Sequence, residues 1–134
     1  MPVIDASVAL KWVLAEDASD RALALLAKDA LAAPELFWIE CANVLWAKAR
    51  RGQINGAQAR AALAAIDAAP VSLINARSMT LAAQAIALEL DQTAFDSLYL
   101  AAALAERTEL ITADETFAKA AQAHPVYASS IRAL

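Results

Sequence analysis

Val3-Ile4-Asp5-Ala6-Ser7-Val8-Ala9-Leu10-Lys11-Trp12 reads as a short apolar strand that stops on a carboxylate and turns at once into a helix. The pattern returns near the other end of the chain, where Leu110-Ile111-Thr112-Ala113-Asp114-Glu115 again runs from a strand through an acid into a helix. Ligands of open parallel sheets collect beyond the carboxyl ends of the strands, where the strand order reverses. Asp5 and Asp114 are therefore expected on one sheet edge. Outward from these two segments, further strands are expected at Leu31 to Ala33, at Val71 to Ile74 and, weakly, near Val126 and Tyr127. Helices are expected from about Ser7 to Ala15, Ser19 to Lys28, Glu35 to Arg51, Asn55 to Ala68, Ser78 to Leu90, Phe95 to Arg107 and Glu115 to Ala123. Pro34 is read as opening the third helix and Gly52 as closing it. Such alternation predicts an α/β domain with a central, mainly parallel sheet.

The 134 residues fit one domain, 1–134, able to bury roughly two-thirds of its unfolded surface. Hydrophobic residues make up 60% of the chain and charged ones 19%, so an apolar surface face is expected. No apolar run approaches the about 18 residues of a membrane span, and a cytoplasmic location is expected. The lone Cys41 forms no internal disulfide and the lone His124 builds no zinc site with it. A net charge of −4 lacks the broad basic footprint of a protein that holds nucleic acid by charge alone. A phosphate-bearing substrate would need a cation.

Four acids interrupt apolar segments. Glu40 is the hardest to explain structurally, because its helical neighbours are Leu36, Phe37, Asn43 and Val44. Asp96 heads Phe95-Asp96-Ser97-Leu98-Tyr99-Leu100-Ala101, with Thr93 placed to cap that helix. Asp5 could serve as a helix N-cap, and Thr112 with Glu115 has the spacing of a capping box around Asp114. Gathered in one place, the four would repel one another, by roughly 4 kcal/mol for a pair about 4 Å apart at an effective dielectric of about 20. A cluster of carboxylates without His or Cys suits Mg²⁺ or Mn²⁺. Ser7 and Thr112 are read either as hydroxyls that orient these carboxylates or as caps. Arg50 and Arg51 suit a helix C-terminus as well as they suit RNA. Trp12, Trp38, Trp46 and Cys41 are expected in the core.

These segments, in this order, resemble the motifs of PIN-domain ribonucleases, most closely the VapC-type toxins of bacterial toxin-antitoxin pairs. Val3 to Trp12 is similar to the family's opening strand and helix; Pro34-Glu35-Leu36 through Glu40, Asn43, Val44 and Leu45 to Arg51-Gly52 is similar to its second motif. Phe95 to Ala101 and Thr112 to Glu115 resemble the third and fourth. The resemblance implies a three-layer α/β/α fold, one pocket formed by Asp5, Glu40, Asp96 and Asp114, RNA cleavage dependent on Mg²⁺ or Mn²⁺, and a cognate antitoxin; a homodimer is compatible with it. Asp5 and Asp96 are expected to make the closest metal contacts, with Asp114 and Glu40 acting through water, on the nucleophile or at a second ion. Two rival readings are a catalytically idle PIN-like protein that binds a partner, and a Mg²⁺-dependent phosphoryl-transfer or receiver-type α/β protein. Against the latter, Val71 to Ile74 ends on Asn75, with no acid or lysine at the strand end.

Overall fold

The computed structural model describes all residues from Met1 to Leu134. Its elements run β1 (Val3–Ile4), α1 (Ala6–Val13), α2 (Ser19–Lys28), β2 (Leu31–Pro34), α3 (Leu36–Arg50), α4 (Gly56–Ala68), β3 (Val71–Ile74), α5 (Thr80–Leu90), α6 (Ala94–Ala105), β4 (Leu110–Thr112), α7 (Glu115–Gln122) and β5 (Ile131–Ala133). Short 3₁₀ turns at Arg77–Met79 and Ala128–Ser130 precede α5 and β5. All pairings in the five-stranded sheet are parallel, in the order β3-β2-β1-β4-β5.

Strand order reverses between β1 and β4. From β1 the chain steps outward to β2 and β3, then crosses back to lay β4 on the other side of β1. Right-handed crossovers, the near-universal hand for such connections, put α1 to α4 on one face and α5 to α7 on the other. The packing agrees: α1 touches α2, α3 and α4, whereas α6 packs on α5 and lies over β1, β2 and β4. This is the three-layer α/β/α architecture. Its central strands are wholly buried, and Val3, Ile4, Leu31, Leu110 and Ile111 meet Phe37, Leu45, Leu100 and Phe117 in one core.

Local chemistry sets the element ends. Asn55 and Gln58 form a reciprocal capping box that starts α4. Gly52 follows α3 with φ at +77°, a left-handed conformation that glycine adopts without strain. Two expectations are corrected here. Pro34 ends β2, in register with Ile74, rather than opening α3; a strand end tolerates its missing N–H. The last strand is Ile131–Ala133, while Val126 and Tyr127 lie in a turn in which the Val126 N–H donates to His124 Nδ1.

Trp46 is also not core. It is 57% exposed on α3, whereas Trp12 and Trp38 are half-buried against the core and Cys41 is fully buried. The buried line of α3 is Phe37, Cys41 and Leu45, and Trp46 falls a further 100° round the helix.

Candidate active site

The register that sets Ile4 against Ile111 brings Asp5, one residue past β1, beside Thr112. Asp5 occupies the N-cap position of α1, yet its side chain makes no capping bond. Ser7 Oγ donates to Asp5 Oδ1 and Thr112 Oγ1 donates to Oδ2. The two hydroxyl oxygens lie 3.3 Å apart, and each accepts from the turn after β4: Ala113 N–H donates to Ser7 at 2.9 Å and Asp114 N–H to Thr112 at 3.0 Å. The two carboxylate oxygens of Asp5 are thereby held from helix α1 and from the end of strand β4. Thr112 does not form the capping box that its spacing from Glu115 allows. Asp114 is itself the cap of α7, its Oδ1 accepting from Phe117 N–H at 3.1 Å.

The other two acids come from helices. Asp96 lies in the first turn of α6, where Thr93 Oγ1 accepts from its backbone N–H at 3.1 Å. Glu40 projects from the second turn of α3, and Tyr99 Oη donates to its Oε1 at 2.9 Å. The role of Tyr99 has one signal in the sequence: Tyr99 lies three residues after Asp96 and so shares its helix face. All four acids line one cavity of about 190 Å³, together with Ser7 and Tyr99. A wider groove of about 640 Å³ shares Glu40 and Asp96 with it and carries Ile39, Asn43 and Phe95 on its walls.

Electrostatics follow from this crowding. Burial pushes the Asp5 carboxyl up to about 6, against the pull of the Ser7 and Thr112 hydroxyls and with a further push from Asp96. Glu40 is raised mainly by burial, opposed by the Tyr99 hydroxyl and assisted by the charges of Asp96 and Asp5. Asp96 is raised by burial first, opposed by the Thr93 hydroxyl and assisted by Asp114. Cys41, buried next to Glu40, is pushed up to about 12 and remains a thiol. Tyr99, buried against a carboxylate, is raised far above the ordinary phenol range and stays a donor.

This donor set fits a hard cation by its chemistry, since every candidate ligand is a carboxylate oxygen. Asp114 Oδ2 and Glu40 Oε2 accept nothing from the protein. In this arrangement, however, no three acidic, histidine or cysteine side chains stand close enough to hold one ion jointly.

Residues 3–123 match the sequence model of the PIN domain. The chain belongs to the PIN domain family. PIN domains are generally nucleases, and membership sets aside the receiver-type reading. Among solved structures this PIN domain is similar to PAE2754 from Pyrobaculum aerophilum, with a TM-score of 0.71 and 21% identity over 88% of this chain and 77% of that one. It is also similar to a toxin-antitoxin complex from Klebsiella pneumoniae, with a TM-score of 0.62 and 20% identity over 87% of this chain and 90% of that one. At these identities the likeness is one of fold. No curated protein sequence matches the chain. No helix of this PIN domain is long and apolar enough to cross a membrane.

Proposed function

We propose that this chain is a Mg²⁺- or Mn²⁺-dependent ribonuclease and the toxin of a toxin-antitoxin pair, acting in the cytoplasm. One observation carries the reading: acids from four separate segments line a single cavity beyond the point where strand order reverses. Asp5 and Asp96 would bind the ion directly, with Asp114 and Glu40 reaching it through water or serving a second ion, which agrees with no three of these side chains standing close enough to share one ion. Once bound, a divalent ion supplies an acidified water and neutralises charge on a phosphate oxygen.

The chain's own residues prepare that site. Ser7 and Thr112 fix the direction of the Asp5 carboxylate, and each hydroxyl in turn accepts from a backbone N–H, of Ala113 and Asp114 respectively, which holds it against rotating away. Tyr99 does the same for Glu40. Asp114 and Asp96 are tied to first helical turns, whose N–H groups favour negative charge there.

The toxin reading draws on the fold shared with a toxin-antitoxin complex and on the groove beside the site. Ile39 and Phe95 are each 65% exposed on that groove, which ends at Glu40 and Asp96. An antitoxin segment that covers them can bring an arginine to the two carboxylates. Purified protein, freed of any partner, should cleave RNA with Mg²⁺ or Mn²⁺ and stop on chelation, and its expression should arrest growth unless the antitoxin is co-expressed. Cleavage that survives both chelation and Asp5→Asn would overturn the metal mechanism. A protein that binds its antitoxin but never cleaves would be a catalytically idle PIN domain.

A further inference from the structure

The exposed residues of α3 fall on one line, Glu35, Ile39, Asn43, Trp46 and Arg50, spaced by three or four along the helix. The line passes beside Glu40, so Trp46 stands about 9 Å and Arg50 about 15 Å further along the axis than that acid. Asn43 and Ile39 already wall the groove that contains Glu40 and Asp96. The line is therefore continuous with the candidate active site.

Its far end has the chemistry of a single-strand binding surface. The Arg50 guanidinium carbon lies 5.7 Å from the Trp46 ring centroid. The indole remains 57% exposed, so much of the ring stays in water. Arg50 and Arg51 make no ion pair and no side-chain hydrogen bond; the three salt bridges of the chain all lie elsewhere. In a protein of net charge −4, two unpaired arginines close α3, one of them over an exposed indole, and concentrate positive charge at this end of the helix. Aromatic rings accept any base on their faces, and arginine pairs with the phosphates between bases.

From this juxtaposition we propose that the α3 line Asn43, Trp46 and Arg50 binds a single-stranded RNA segment flanking the cleavage point, with Trp46 stacking one base and Arg50 and Arg51 on phosphates. This rests on the ribonuclease reading and adds the substrate's path. Binding of a labelled single-stranded RNA to the full chain carrying Asp5→Asn, measured in chelator, tests it without any turnover. Adding Trp46→Ala should weaken binding about tenfold, and Trp46→Phe should retain most of the affinity. Arg50→Gln should reduce the salt dependence of binding by about one counterion. Unchanged affinity in Trp46→Ala would overturn the proposal. So would a wild type whose self-association by sedimentation is lost in Trp46→Ala, which would make the line an interface between copies. If the tryptophan dependence holds while wild type never cleaves, the ribonuclease reading fails and the binding surface stands.

Discussion

Tyr99 Oη donates to Glu40 Oε1 at 2.9 Å, joining α6 to α3 across the candidate site. The bond pulls the Glu40 carboxyl down while burial and two neighbouring charges push it up. Tyr99→Phe removes the pull and leaves a partly buried carboxylate with one donor fewer. We expect a loss of about 1–2 kcal/mol at neutral pH, a further rise in the Glu40 carboxyl and, for RNA cleavage, an acidic limb moved to higher pH. Denaturant unfolding and a pH-rate profile check this. Stability and profile both unchanged would mean the bond is idle.

Metal-free protein should lose stability as pH rises from about 4 to about 6. Asp5 titrates near 3.8 when unfolded and at about 6 when folded, so across this window the native state binds more protons than the unfolded one. The contribution is fully present below the lower value and is lost through the upper one. Its ceiling is about 3 kcal/mol, and less is expected because Asp5 is only partly buried by its neighbours. Glu40 and Asp96 are raised as well and act in the same direction. Urea unfolding in chelator at several pH values, for wild type and Asp5→Asn, gives the measurement: the variant should show a flatter curve.

Much of this was legible in the chain. Four strands, seven helices and the meeting of four acids at one cavity could be read because short apolar runs end on carboxylates, and a charge within apolar surroundings demands a reason. What escaped had identifiable causes. Val126 and Tyr127 have strand-forming side chains, but Pro125 lacks an N–H and His124 captures the Val126 N–H, so a turn wins. Residue type alone puts Trp46 in the core, whereas it sits about 100° round the helix from the line of Phe37, Cys41 and Leu45 that α3 buries. Ser7 and Thr112 could be read as hydroxyls that orient carboxylates or as caps, but that both settle on Asp5 depends on the register between β1 and β4, more than one hundred residues apart. No local pattern carries that information.

Thr112 and Ser97 are the two buried polar side chains, and they should answer substitution in opposite ways. Thr112 Oγ1 donates to Asp5 and accepts from Asp114 N–H. Thr112→Val keeps the shape and strands both partners, for an expected loss of about 1–3 kcal/mol. Ser97 Oγ has no partner at all. Ser97→Ala removes an unsatisfied group, so its stability should stay level or rise by up to about 1 kcal/mol. Thermal unfolding of the two variants side by side decides whether the network around Asp5 carries energy.

Asp114 offers the sharpest separation of capping from metal binding. Its Oδ1 caps α7 through Phe117 N–H, and its Oδ2 accepts nothing from the protein. Asparagine keeps the capping oxygen and loses the charge; alanine loses both. Capping alone therefore predicts a wild-type Asp114→Asn and an Asp114→Ala weakened by about 1 kcal/mol. A metal site predicts a further difference. Mg²⁺ or Mn²⁺ should raise the melting temperature of wild type, since binding to the folded state alone adds stability by mass action. Asp114→Asn should melt like wild type, or slightly higher, in chelator, because one repelling charge is gone. With either ion it should show a much smaller rise and cleave RNA poorly. An Asp114→Asn protein that responds to the ions as wild type does would restrict Asp114 to its role as a cap and leave the cation to Asp5, Glu40 and Asp96.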